Sequence, residues 1–148
     1  MQNQVNAFIR QVSIIHLALC SGPGLFLLVS LVLHQTQQVA KSADASTIEL
    51  LWLMVPLIAL GGLSASVFLF KRLLEKAREK EALAQKLAAY QGALLLRYAT
   101  LEGPALLAGV AYFLSGEISF LAMGLVLVGI MVLLRPSVQK TQEDLRLN

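Results

Sequence analysis

"RYATLEGPALLAGVAYFL", residues 97–114, is apolar over most of its length, as a membrane span is. Yet it carries a carboxylate, Glu102, two residues ahead of Pro104. A charge in hydrocarbon is costly and turns toward protein or water. The fold therefore depends on whether the rest of the chain supplies further spans for this one to pack against.

It does. Of 148 residues, 57% are apolar and 14% are charged, against roughly 25% charged in ordinary soluble chains. Mean hydropathy is +0.70. The apolar residues gather in runs near 12–33, 48–70, 93–115 and 118–134, and the polar stretches between them hold nearly all the charge. About 20 apolar residues cross a ~30 Å hydrocarbon core as a helix, and the last run lies at the short end of that range. The expectation is an all-α polytopic membrane protein, one membrane domain over 1–148, with four transmembrane helices arranged as two parallel helical hairpins.

A net charge of +3 does not point to nucleic acid, because the placement of the cations accounts for it. Lys71, Arg72, Lys76, Arg78, Lys80 and Lys86 lie between the second and third runs. Arg10 precedes the first run, Arg97 opens the third, and Arg135, Lys140 and Arg146 follow the last. The segment between the first two runs holds only Lys41. The positive-inside rule then puts both termini and residues 71–92 in the cytoplasm, with the connections 34–47 and 115–117 outside. A bacterial cytoplasmic (inner) membrane is the expected location. The single cysteine, Cys20, excludes an internal disulfide. "LALC" is not a lipoprotein signal, since Leu19 is not small and the apolar run continues past the cysteine, so residues 1–33 are expected to be retained.

The first and third spans align at a shift of 81 residues. Gly22-Pro23 falls on Gly103-Pro104, Ala18 on Ala99, Leu25 on Leu106, Val29 on Val110, and Ser21 on Glu102. Internal duplication and shared composition both account for this match. A duplication would relate two parallel hairpins by an axis along the membrane normal.

The segment "KRLLEKAREKEALAQKLAAYQG", residues 71–92, has strong helix formers, no proline and no glycine before Gly92. Pairs such as Lys71 with Glu75 meet at helical spacing. It is expected to continue the second span as a cytoplasmic helical extension. Its apolar stripe of Leu73, Leu74, Ala77, Leu83, Ala84 and Leu87 would face a neighbour, a partner or anionic lipid. Thr47 is expected to cap the second span. Arg135-Pro136 should stop the fourth, leaving 136–148 as a cytoplasmic tail in which Ser137 caps a short helix. Trp52 fits an aromatic belt at the outer interface.

Little here supports catalysis. His16 and His34 lie 18 residues apart and Cys20 has no second ligand pair near it, so neither metal nor cofactor is expected. There is no nucleophile with a base and carboxylate in the same leaflet, and no phosphate-binding or dinucleotide motif. Glu102 is the remaining candidate. Counted back from Ser115 at ~1.5 Å per residue, it sits in the cytoplasmic leaflet, about 5–10 Å below the interface. Arg97 would lie at the interface. Pro104 frees the carbonyl of Thr100, and Pro23 that of Leu19. Glu102, Tyr98, Thr100, Ser21 and Arg97 together form a candidate polar site between the first and third spans. Two readings stand. Tyr98, one turn back, would hydrogen-bond Glu102 and make it a structural lock; otherwise Glu102 would bind a proton or cation. The shallow depth favours the lock.

Gly61 and Gly62 on the second span, each with a small residue four positions on, and Gly109 with Ala105 on the third, permit close helix contact. With Gly22, Pro23, Gly103 and Pro104 they are the expected packing residues. The expected function is non-enzymatic: a membrane protein acting through helix packing in the lipid bilayer, as homo-oligomer or subunit of a larger membrane assembly. The alternative is a minimal proton- or cation-linked transporter or channel using Glu102.

Overall fold

A computed structural model describes residues 2–36 and 44–147. Among these the chain is helical, without strands: α1 (Gln2–Gln35), α2 (Ala45–Arg78), α3 (Leu83–Ser115), α4 (Ile118–Leu133) and α5 (Val138–Leu145). Three helices, α1 to α3, are long and apolar enough to cross a membrane, and α4 with α5 makes a fourth such segment bent by 77°. Prolines 23, 56 and 104 lie inside α1, α2 and α3 without ending them.

The surface follows bilayer physics. Large exposed apolar residues run from Ile14 to Val32 on α1 and from Leu50 to Phe68 on α2. Each stretch is roughly 27 Å long at ~1.5 Å per residue, close to the ~30 Å of a hydrocarbon core. On α4 they end at Leu133. Trp52, at the belt edge remote from the basic segments, packs its ring on Phe120 of α4 at 5.0 Å.

The helices outrun this belt at the basic end, and there the expectation for 71–92 is corrected. The stretch is not one helix. α2 ends at Arg78, and the chain turns through 79–82. α3 then starts at Leu83 and runs back along α2. No breaker residue marks the turn; the tertiary gain overrides propensity. The apolar stripe closes on itself: Leu74 and Ala77 before the turn, and Leu87 and Tyr90 after it, are buried in one cluster with Phe8, Val12, Phe70 and Leu145. Tyr90 lies between Phe8 and Phe70, with ring centroids at 6.2 and 6.1 Å. Val5, Phe8 and Val12 recur at helical spacing and are buried, so α1 starts about ten residues before the apolar run because its polar-looking N-terminus has a core face.

α5 covers this cluster from below. Tyr90 donates its hydroxyl to the Asp144 carboxylate at 2.7 Å, and Arg78 donates Nε–H to the Asp144 carbonyl at 2.5 Å. The expected cap holds, with the Ser137 hydroxyl accepting from the Lys140 amide at 3.2 Å. The cap of α2 is three residues earlier than expected: Asp44, whose carboxylate accepts from the Thr47 amide at 3.1 Å. Lys41, the one cation assigned to the opposite side, lies outside the described residues.

The expected pairing is corrected as well. α3 is the shared neighbour: α2 packs along it, and α1 packs on α3 and α4. α3 and α4 form a hairpin closed by Gly116, whose φ of 70° is the left-handed value that glycine adopts freely. α1 and α2 do not pack as a hairpin of their own, since α2 spends its buried face chiefly on α3 and α1 divides its own between α3 and α4. The two halves are therefore unlike, and the arrangement shows no duplication.

Candidate functional site

The residues that the sequence groups around Glu102 separate in space. Thr100 and Pro104, one turn apart on α3, face α2: a Cβ built on Gly62 would lie 2.5 Å from the Thr100 carbonyl oxygen and 2.6 Å from Pro104 Cγ. Glu102 faces α1, where a Cβ on Gly22 would lie 3.6 Å from Oε1. Two residues on a helix point ~200° apart, so the proline-freed carbonyl and the carboxylate cannot share a pocket. The hydroxyls of Ser21 and Thr100 stay on their own helices, donating to Ala18 at 2.8 Å and Arg97 at 2.9 Å.

Tyr98 does not lock Glu102. It is buried and donates its hydroxyl to the carbonyl of Leu134, just past α4, at 3.1 Å. Helical side chains lean toward the N-terminus of their helix, which carries the Tyr98 hydroxyl away from a residue one turn C-terminal. Arg97 lays its guanidinium over the Phe70 ring at 4.4 Å, a cation–π contact between α3 and α2, with Nε buried and unpartnered. Glu102 itself is half-buried, roughly 7–8 Å along α3 from Arg97, and makes no hydrogen bond or ion pair among the described residues.

The packing glycines divide likewise. Gly109 meets the Phe26 ring at 2.7 Å from its Cβ position, bringing α1 onto α3, and Gly124 meets Leu27 at 2.8 Å. Gly61 and Gly103 have no atom within 4 Å of that position. The α1–α3 contact thus involves Gly22 and Gly109, while Pro104 serves α2.

What sequence reasoning missed is the use of the histidines. His16 donates Nε2–H to the Met131 carbonyl at 2.8 Å, with Cys20 Sγ 3.6 Å from the same nitrogen and the Tyr98 ring edge-on at 4.7 Å. His34 donates Nε2–H to the Phe113 carbonyl at 2.8 Å. Carbonyls in the last turn of a helix have few intrahelical donors: that of Met131 has a shared bond from the Leu134 N–H at 3.1 Å, and a side-chain donor adds a second. Two rings on α1 and the Tyr98 hydroxyl supply donors at the ends of α3 and α4. The available signal was spacing: 18 residues is five turns at ~3.6 residues per turn, so His16 and His34 share one face. Among the described residues no group of three metal-ligating side chains gathers.

Comparison with protein-family models, with curated proteins and with solved structures finds no match to this chain.

Proposed function

We propose that this chain is a small, non-enzymatic integral membrane protein that works by helix packing, as a homo-oligomer or as a subunit of a larger membrane assembly. In this reading both termini and the 79–82 turn face the cytoplasm of a bacterial inner membrane, with the cations following the positive-inside rule. One observation carries it. On the lipid-facing side of α2 and α3 lies an open groove of about 470 Å³ lined by Leu57, Ile58, Gly61, Ala65 and Pro104. At Gly61 the helix backbone is bare. Small residues at four-residue spacing let a second helix approach closely, which is how helices associate where lipid removes the hydrophobic driving force.

The test is the mass of the particle extracted gently from its native membrane, for the wild type and for Gly61→Leu. The added side chain meets nothing within its own chain, so the monomer should fold unchanged while the assembly or its co-purifying subunit is lost. A wild-type particle that is a partner-free monomer overturns the reading.

A second reading rests on Glu102, whose carboxylate lies in the apolar belt and makes no hydrogen bond among the described residues. An intramembrane acid in that state suits proton or cation binding. Glu102→Gln should then abolish a pH-dependent flux while leaving the fold intact. Glu102→Cys in a Cys20→Ser background should react with soluble thiol reagents. Failure to label removes this reading.

A further inference from the structure

We infer that the cleft between α1 and the end of α4 binds one anionic phospholipid, its phosphate held by Arg10 and Arg135 and an acyl chain lying along Ile14, Leu17 and Val132. The cleft is about 520 Å³ and straddles the belt edge at the basic end. Arg10 lies one turn before Ile14, where the apolar belt of α1 begins, and Arg135 lies two residues past Leu133, where the belt of α4 ends. Below them the wall turns apolar and open: Ile14 is 63% exposed, Leu17 69% and Val132 53%. One cleft thus offers a cationic mouth at headgroup height and a greasy floor at acyl height. Among the described residues its lining includes no aspartate or glutamate. Ser13 adds a hydroxyl at the mouth, and His16 seals the inner wall with Nε2 committed to Met131.

The charge pattern selects the occupant. Basic pockets between membrane helices suit anionic headgroups, and each Lys or Arg near the surface contributes about a fivefold preference. A neutral phospholipid would gain the apolar wall but leave two guanidiniums without a net negative charge to meet. The turn at 79–82 is a poorer site, because Glu79 and Glu81 flank its one cation, Lys80, and the apolar stripe on either side of it is buried in the cluster around Tyr90. The inference rests only on the chain crossing a bilayer, not on oligomer formation or on Glu102.

The experiment is native mass spectrometry of the full chain from micelles holding equal amounts of phosphatidylglycerol and phosphatidylcholine with matched acyl chains. One phosphatidylglycerol should be retained in preference. Arg10→Gln with Arg135→Gln should lower that preference roughly 25-fold, Arg135→Gln alone about fivefold, and Arg10→Lys should keep it. Lys76→Gln with Lys80→Gln should leave it unchanged. Both arginines are exposed, so helicity and thermal unfolding should match the wild type; the Arg10→Lys and Lys76/Lys80 arms keep the test decisive if the double variant folds poorly. Equal retention of the two lipids overturns the proposal, as does a preference that survives loss of both arginines. Displacement of the bound lipid by inorganic phosphate would make the ligand a free phosphate and overturn the lipid assignment.

Discussion

His16 and Met131, 115 residues apart in the chain, are joined by a 2.8 Å hydrogen bond from the imidazole Nε2–H to the backbone carbonyl. The bond ties α1 to the last turn of α4 at the belt edge. It sits beside the Tyr98–Leu134 bond, which ties α3 to the residue just past the same helix. α4 is 16 residues long, about 24 Å at ~1.5 Å per residue, and its C-terminal end falls at the edge of the apolar belt. There the Leu134 N–H reaches the Met131 carbonyl at 3.1 Å, and side-chain donors from two neighbouring helices add to it at Met131 and Leu134.

His16→Phe keeps a ring against Tyr98 but removes the donor. The expected loss of stability is about 1 kcal/mol, the usual scale for hydrogen bonds between membrane helices. Unfolding in mixed micelles with increasing sodium dodecyl sulfate checks it. A loss below a few tenths would mean that the Leu134 N–H, which already donates to this carbonyl at 3.1 Å, satisfies it without the imidazole.

Two adjacent glycines should respond oppositely. Gly62→Ala forces a methyl into the Thr100 carbonyl and Pro104, both stiff, and should cost roughly 1–3 kcal/mol as overpacking does. Gly61→Ala meets nothing and, with its better helix propensity, should be neutral or slightly stabilising to the monomer. The same unfolding assay separates them. Equal effects would contradict the register of α2 on α3.

α5 should detach when its polar anchor is cut. Tyr90→Phe removes the bond to Asp144, a hydrogen bond to a carboxylate worth roughly 1.5–3 kcal/mol. The aromatic packing on Phe8 and Phe70 stays. Trypsin cleavage after Lys140 should accelerate while the apolar belt remains protected. Unchanged cleavage would show that burial of Leu145 alone holds α5 in place.

The start of α2 should weaken in acid. Hydrogen bonds from the Thr47 and Ser46 side chains hold the Asp44 carboxyl below its usual range. A carboxyl lowered in the folded state stabilises above its unfolded pKa of about 3.9. That stabilisation is lost as pH falls through the lower folded value. Amide protection at 45–48 should therefore drop between neutral pH and about pH 3 in the wild type. In Asp44→Asn, which can still cap, it should change little.

How far the sequence could be read follows from the range of each interaction. The apolar runs, the stop at Pro136 and the Ser137 cap are local patterns, and each stands where the residues put it. The cap at Asp44 was missed because Thr47 offers the same chemistry three residues on. The turn at 79–82 was missed because it has no Gly or Pro; it exists only because Leu74, Ala77, Leu87 and Tyr90 gain more by burying one another than by extending a single helix. Around Glu102 the helical period was informative but incompletely used. It says that Thr100 and Glu102 point apart, and it says nothing about which neighbouring helix covers each side.

The sequence by itself determined the class: an all-helical chain with three to four segments long and apolar enough to cross a bilayer, because hydropathy over about 20 residues is a property of contiguous chain. Only the tertiary structure decided that α3 is the shared neighbour, that Tyr98 serves Leu134 and not Glu102, and that His16 meets Met131. Those pairings depend on which helix faces which, and that choice is set by close packing at Gly62, Gly109 and Gly124 and by helix-end carbonyls that accept side-chain donors from a neighbouring helix. Partners so far apart in the chain leave no local trace.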